Sequence, residues 1–555
     1  MLEFFLQPED LEWSIPQDGL WKHNRSYIRP FSHRMVDIYY LREIGGKNRW
    51  MVIARERYEG ASKVYKSLPI IKECSQEEFE RQSNILLTNH LDWMAIEVTP
   101  GYNQHVSLAC GKHGTLPCYF LCKNNTLRGN YIPASLFPFI DKSNPLDFQR
   151  TCSFIKGVMP YGSKLILKEI DLLPAGSQVT WYCHTDSTSK VKVNYPKATE
   201  LVSPKKIKSN VDPVEAIERI VKKVLGHRFG SEPHGISAEL SGGLDSSIVA
   251  GVANQMMSGS LKTTGLLLPP NIGDHAHRRD IISATLGLND TAISIEPHLP
   301  LSVDAPNFLR NRAAWEELYI EAFNALFEVA SESEHDVLLT GFGGDELFML
   351  NTWELLLEKQ TLAIEQAKKE LFNYPNYLTD EAREAVRETI EESNDYPLAT
   401  PTSTIDALMV DAPIIAKAGF WPIHPFADPE VVNFCQQLPP EFRRDRFLQR
   451  KLLSSWGLPK SVWKPECAED FASFMSTSLR TNSIAIQKLF EESRLHEMGI
   501  LNRNILIDDY QKYLHGNHVS DLSENEYGFY IVAILEIMIR FITSIDAGNS
   551  IESNH

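Results

Sequence analysis

The sequence predicts an α/β protein: a strand-rich front part, then a parallel sheet with helices on both faces, then a helical end. Three observations lead there. The first two hundred residues or so are short apolar or alternating runs broken by turn residues. A stretch suited to a linker follows, and from Asp212 onward strands and helices of ordinary length alternate. At 555 residues the chain exceeds one ordinary core, so two domains are expected.

In the front part the runs VDIYYL, RWMVIAR, HVSLAC, PCYFLC, SKLILKEI and SQVTWYC read as strands. The segment YPKATELVSPKKIKSNVDP is rich in proline, lysine and polar residues and places the boundary, giving domains 1–205 and 206–555. Asp212 followed by Pro213 starts a helix, with Val214, Ile217, Ile220, Val221, Val224 and Leu225 on one face before Gly226. HGISAEL then reads as a strand and SSIVAGVANQMMSG as a helix closing at Gly259. TTGLLLP is a strand, RRDIISATLGL a helix, TAISI a strand, AAWEELYIEAFNALFEVAS a long helix and DVLLTG a strand. Beyond them TWELLLEKQTLAIEQAKKELF, TDEAREAVRETIEES and ENEYGFYIVAILEIMIRFITSI are helical. Trp315 and Tyr319, on the long helix, are expected in the core.

Hydrophobic and charged contents of 43% and 23% exclude disordered and fibrous classes. A net charge of −17 argues against a nucleic-acid partner held through phosphates, which needs clustered Lys and Arg. The N-terminal MLEFFLQPEDLEWS lacks a basic region and a sustained apolar run, and no later stretch approaches the length of a membrane span, so a cytoplasmic protein with no membrane partner is expected. Eight cysteines show no zinc spacing and are expected to be reduced, mostly buried thiols.

The chemistry begins at SGGLDSS, residues 241–247, where a strand hands over to a helix. Gly242 and Gly243 let backbone N–H groups and the positive helix end converge, and Ser241, Ser246 and Ser247 add hydroxyls, so the turn suits an anion. No GxxxxGK[ST] occurs, so this is not the loop of γ-phosphoryl transfer. Asp245 would repel phosphate unless Mg²⁺, which favours carboxylate and phosphate oxygens, sits between them. A hundred residues on, VLLTGFGGDELF repeats the device with Asp345. Two carboxylates at the carboxyl ends of two parallel strands can share metal over one crevice, the place where open α/β sheets bind ligands.

These motifs resemble the pyrophosphate loop of ATP pyrophosphatases, and their pairing is similar to the asparagine synthetase group. The resemblance continues through IHPFADPEVVNFCQQLPPEFRRDRFLQRKLL and covers most of residues 210–475. It implies a PP-loop fold, with ATP cut between the α- and β-phosphates, a carboxylate converted to an acyl-adenylate, and an amine displacing AMP. It also implies a front domain like the αββα N-terminal-nucleophile (Ntn) glutaminases. HVSLACGKHGTLPCYFLCKNNTLRGNYIPASLF is similar to part of that domain, although Lys112 and Cys118 depart from its pattern. The family's catalytic Cys follows the initiator Met, and this chain has Leu2, so the front domain is expected to be a degenerate scaffold and the amine to come from the substrate.

At the second position of Gly-x-Gly-[GS]-Asp asparagine synthetases carry Glu and β-lactam synthetases a Tyr paired with Glu; here it is Phe342, which cannot take a proton. The partner glutamate falls near Val410, with Asp411 the nearest acid. An amine that is already nucleophilic suits this absence, so the chain looks closest to lasso-peptide macrolactam synthetases. GLPKSVWKPECAEDF and YGFYIVAILEIMIRFITSI also resemble that branch. β-Lactam and asparagine synthetases remain the alternatives.

The resemblance implies ATP and Mg²⁺ as cofactors, with Asp245 and Asp345 as metal ligands. It places Ser241, Gly242, Gly243, Leu244, Asp245, Ser246, Ser247, Leu267, Gly341, Phe342, Gly343, Gly344 and Arg446 at the nucleotide. Lys464, with Lys460 as competitor, is the expected cation for the charge developing on the α-phosphate and oxyanion. Arg446 either contacts phosphate or lies on a solvated helix face. His275 and His277 are expected at the surface or beside the nucleotide, without a third metal ligand. The expected partners are a small peptide or amino-acid-derived substrate and a protease that removes a leader peptide.

Overall fold

The computed structural model describes residues 1–62, 69–87, 91–113, 115–183, 190–197, 205, 207, 208, 210–257, 261–269, 274–302, 312–332, 334–350, 372–392, 400–466, 471–516 and 523–545. The front part holds β1 (Leu2–Leu6), β2 (Trp21–His23), β3 (Ser26–Pro30), β4 (Val36–Glu43), β5 (Trp50–Glu56), β6 (Ile70–Cys74) and β7 (Trp93–Thr99). It continues with β8 (His105–Cys110), β9 (Cys118–Lys123), β10 (Thr126–Asn130), β11 (Ile170–Leu173), β12 (Gln178–Tyr182) and β13 (Lys190–Asn194). They form two sheets, ordered β11-β9-β10-β1-β3-β2 and β13-β12-β8-β7-β5-β4-β6. All pairs are antiparallel except β4 with β6.

Alternation along the strands explains the sandwich. Phe4, Leu6, Ile28, Phe120 and Leu127 from one sheet meet Tyr40, Val52, Ile96, Leu108 and Trp181 from the other in one core. The second sheet is covered on its far side too, where helix α1 (Gln76–Leu86) lays Phe79 and Leu86 against Leu41, Met51, Ile53 and Ala95. That is why β5 is apolar on both faces.

The back part carries a five-stranded, wholly parallel sheet of β14 (Ile236–Glu239), β15 (Lys262–Leu267), β16 (Asn289–Ser294), β17 (Val337–Leu339) and β18 (Trp421–Ile423), ordered β16-β15-β14-β17-β18. The strand order reverses beside β14, so the loops after β14 and β17 open onto one crevice. The helix after β14, Leu244–Met256, is apolar nearly all round and is buried between the sheet and its neighbours. Helix Pro213–Phe229 is capped by Asp212, whose carboxylate accepts from the N–H of Val214 at 2.8 Å.

The two parts are tied by ion pairs, the Arg228 network fully buried and the Arg34 pair partly so. Arg228 donates to Glu56 at 2.9 Å and to Asp428 at 3.1 Å, and the Trp421 indole donates to Glu56 at 3.1 Å. Arg34 grips Asp336, one residue before β17, at 2.5 Å.

Several expectations need correction. SKLILKEI makes only isolated bridges, Leu146 with Leu167 and Lys164 with Asp171, and the strand starts at its end, at Ile170. Helix Pro213–Phe229 runs through Gly226, because neighbours on both sides of it pack against the sheet. The long helix begins only at Ile320; Ala313–Tyr319 is a turn in which Glu316 accepts from the N–H of Ala313 at 2.5 Å, closing the chain on itself before helix geometry starts. Trp315 is buried there, its indole donating to the Tyr119 hydroxyl at 3.2 Å. Glu526–Ser544 is in fact long and apolar enough to cross a membrane, at mean hydropathy 1.5, but 72% of that window is buried inside the protein, among residues such as Tyr377, Phe490 and Tyr510. Gly259 and residues 352–371 lie outside the described residues.

Candidate functional site

The loop between β14 and the Leu244–Met256 helix turns through Gly242, whose φ of 93° needs glycine. Its hydroxyls brace it from within. Ser246 accepts from the N–H of Ser241 at 3.1 Å, Ser241 accepts from the N–H of Gly243 at 3.1 Å, and Ser247 donates to the Gly243 carbonyl at 2.5 Å. Gly243, at the N-cap, supplies no side chain to cap the helix, which leaves the first helical N–H groups facing the crevice. Leu244 is buried, and Leu267 closes β15 at the same sheet edge.

The second turn meets the first backbone to backbone. A Cβ added at Gly341 would lie 2.7 Å from the nitrogen of Ser246, and one at Gly344 2.0 Å from Oδ1 of Asp245. Gly343 sits at φ 92°, which again favours glycine. Phe342 packs its ring 5.9 Å from that of His424, whose Nδ1 is 2.7 Å from the Thr340 hydroxyl.

The two aspartates converge on one cation. Nη2 of Arg446 bonds to Oδ2 of Asp245 and lies 2.6 Å from Oδ1 of Asp345, while the Gln449 amide donates to Asp245. Burial pushes the Asp245 carboxyl up to about 7; the Arg446 guanidinium opposes that rise and Asp345 adds to it. Arg446 has φ 56° and Asp445 φ 52°, a left-handed pair that swings the guanidinium off the Phe447–Ser455 helix and into the crevice. Arg446 therefore does not lie on a solvated helix face.

One nitrogen touching both carboxylates is also a fit test for a metal. Two carboxylates spaced to share one cation, with phosphate oxygens completing the shell, are the donor set that Mg²⁺ takes. Among the described residues no group of three or more His, Cys, Asp or Glu side chains could hold a metal, so such an ion would need the nucleotide's oxygens.

Lys464 stands at the rim, half-exposed, its Nζ 3.9 Å from Asp445, and Lys460 is exposed on the preceding turn. His277 is exposed, but His275 is buried: its Nε2 accepts from the N–H of Leu268 at 2.7 Å, because the chain after β15 folds over it. Seven described cysteines are free, and burial raises the thiols of Cys110 and Cys118 to about 12, too high for thiolate nucleophiles; Cys467 lies outside the described residues.

Some site residues gave no sequence signal. Arg279, fully buried, pairs with Asp290 at 2.7 Å and donates to the Leu240 carbonyl, holding the stem of the first loop. Gln449 is visible only once the helix is placed.

Residues 231–411 match the family model for asparagine synthase. The match spans both glycine turns and all of the parallel sheet up to the helix before β18. No curated protein matches this chain in sequence. Among solved structures, the U34-tRNA thiolase NcsA from Methanococcus maripaludis with its [4Fe-4S] cluster is 16% identical, with 56% of this chain and 84% of that chain covered and a TM-score of 0.24. NMN synthetase from Francisella tularensis is also 16% identical, covering 41% of this chain and 94% of its own, at a TM-score of 0.17. Overlaps this loose carry no argument about activity, which rests on the crevice and the family match.

Proposed function

We propose that the protein is an ATP-dependent amide synthetase that activates a substrate carboxylate as its adenylate, releasing pyrophosphate, and passes the acyl group to an amine, releasing AMP. The observation that carries it is the convergence of Asp245 and Asp345, from two glycine turns on neighbouring parallel strands, on a single cation. In this reading the N–H groups of Gly242, Gly243 and Leu244 and the Ser241, Ser246 and Ser247 hydroxyls cradle pyrophosphate. Asp245 and Asp345 hold Mg²⁺, which would neutralise phosphate charge. Leu267, Gly341, Phe342, Gly343 and Gly344 shape the nucleotide crevice. With such an ion on the carboxylates Arg446 would be available to phosphate, and Lys464, at the rim, would be the cation for charge on the α-phosphate and the oxyanion.

The amine, we infer, belongs to the same molecule as the carboxylate, and the product is a macrolactam of the lasso-peptide kind. Phe342 supports this, since it offers no proton acceptor for a weak nucleophile such as an amide nitrogen. The front part then serves as a degenerate Ntn-like scaffold, joined to the synthetase through Arg228, Glu56 and Asp428, and a leader-removing protease supplies the free amine. The asparagine synthase match favours a second reading, an enzyme acting on a small amino acid.

The test is mass spectrometry on a core peptide with a free N-terminal amine and an Asp or Glu several residues in, and in parallel on free aspartate, each incubated with ATP, Mg²⁺ and ammonium chloride. A product lighter by one water and resistant to N-terminal sequencing supports ring closure. A new primary amide supports the second reading, and both substrates unchanged with ATP unconsumed contradict both readings.

A further inference from the structure

Outside the crevice, the front part holds a cavity of about 50 Å³ whose wall is completed by the back part. Its inner side is apolar, built from buried residues such as Leu116, Leu165, Leu172 and Leu173. The half-buried Met159 and Gly162 and the exposed Lys164 mark where it reaches solvent. The remaining wall is Ile405, Asp406 and Met409, from the back part's helix Thr402–Lys417. That helix also touches the second glycine turn, since the methyl of Thr404 stands 3.0 Å from where a Cβ on Gly343 would be.

Most polar side chains of the wall are occupied. The Cys110 thiol donates to the Pro174 carbonyl at 3.2 Å, the Tyr161 hydroxyl donates to the Ala175 carbonyl at 3.2 Å, and Lys164 is held by Asp171 at 2.9 Å. Cys118 turns its thiol to the Tyr119 carbonyl at 3.9 Å. Asp406 differs: among the described residues its carboxyl has neither a hydrogen bond nor an ion pair. Burial raises that carboxyl to about 6, which leaves it charged at neutral pH with no cation to answer it. The neighbouring Tyr527 supplies none, because burial and the charge of Asp406 raise its phenol and keep it protonated.

An apolar chamber with a single unanswered carboxylate suits a ligand with an aliphatic body and a cationic head. A metal ion fits poorly, because one carboxylate among carbon atoms offers too few oxygens. At about 10–15 Å³ for each water-sized group, the chamber takes about four, the length of a butyl chain.

We propose that this cavity is a binding site for a short aliphatic ammonium, its chain in the cavity and its head on Asp406. The site stands apart from the Asp245–Asp345 crevice, whether or not the amide synthesis proposed above holds. The head forms a charge-assisted hydrogen bond with the carboxylate, and the chain leaves water for the leucine wall. Two sources share this chemistry: a free alkylamine, and the side chain of a lysine in a peptide. A ligand held between Asp406 and Met409 bears on the helix that packs against Gly343. On the nucleotide reading given above, occupancy is therefore expected to change the affinity of the crevice for ATP.

Calorimetric titration with n-butylammonium chloride tests the site without ATP or Mg²⁺, at about pH 7.5, where Asp406 is ionised. A dissociation constant on the order of 1 mM is expected. Asp406→Asn removes an unanswered charge and keeps the shape, so it should fold and bind about tenfold or more weakly. Asp345→Asn should bind as the wild type does, which excludes the crevice acids as the site. n-Butanol, with the chain but no charge, should also bind about tenfold or more weakly. Affinity should rise from ethylammonium to butylammonium and level off at hexylammonium. Nα-acetyl-lysine amide separates the sources: binding as tight as that of butylammonium supports a lysine side chain, and its failure to bind supports a free amine. No binding of butylammonium to the wild type, or equal binding to wild type and Asp406→Asn, overturns the site. Saturating butylammonium should also shift the dissociation constant for ATP with Mg²⁺ by about twofold or more in the wild type and not in Asp406→Asn. An unshifted constant in the wild type overturns the link through the helix, and absence of ATP binding overturns the nucleotide reading instead.

Discussion

Replacing Gly344 by alanine puts the closeness of the two turns to a direct test. The new Cβ would lie 2.0 Å from Oδ1, 2.3 Å from Cγ and 2.8 Å from Cβ of Asp245. Non-bonded heavy atoms rest at about 3.5–4.0 Å, so the carboxylate must retreat by more than about 1 Å or the turn must shift as far. The retreat breaks the contacts of Asp245 with Arg446 and Gln449. Overpacking of this kind costs about 1–3 kcal/mol, and a 1 Å misplacement of a catalytic group costs about 100-fold in rate. The assays are urea unfolding and pyrophosphate release. Gly419→Ala is the control: φ there is 92°, but a Cβ would meet nothing within 4 Å, so it should lose about 1 kcal/mol of stability from backbone strain and keep its rate. Gly344→Ala with wild-type pyrophosphate release would refute the argument that the turns share one site.

Arg228→Met should lower unfolding free energy by about 3–5 kcal/mol, because it leaves the buried carboxylates of Glu56 and Asp428 without their cation; a urea midpoint within error of wild type would show the network to be unimportant. The folded carboxyl of Glu239 titrates at about 8 against an ordinary 4.5, so the folded state binds the extra proton across that window and its stability falls as pH rises from about 5 to about 8. Glu239→Gln has no proton to lose and should be the more stable protein at pH 8, by up to a few kcal/mol, and no better than wild type at pH 5; a variant less stable at both pH values contradicts this. His33, held near 4 by burial, works in the opposite sense: stability should fall as pH drops from about 6.5 to about 4, and His33→Gln should flatten that fall in acid unfolding curves. Asp345→Asn leaves its turn intact, since the side chain is two-thirds exposed, and should remove Mg²⁺-dependent ATP consumption while leaving the urea midpoint unchanged.

Four of the five strands of the parallel sheet were legible as short runs between turn signals, whereas Trp421–Ile423, three residues with a proline in the middle, gave no such signal; the two glycine turns announced both acids at fixed places. Arg446 was legible only as a charge in FRRDRFLQRK; its route into the crevice depends on the left-handed backbone at Asp445 and Arg446, which no local pattern signals. The Ala313–Tyr319 segment misled because its apolar spacing is helical, whereas Arg312, Glu316 and Glu317 bind neighbouring backbone and hold it as turns. The apolar helix Ser523–Ser544 has a composition that fits either lipid or a protein core, and only the ring of partners around it decides.

The central claim is that a carboxylate attacks the α-phosphate of ATP across the Asp245–Asp345 crevice. A substrate carboxylate labelled with heavy oxygen tests it in one turnover. One labelled atom should appear in the phosphate of AMP, alongside unlabelled pyrophosphate; label in orthophosphate with ADP as the companion product would contradict the account.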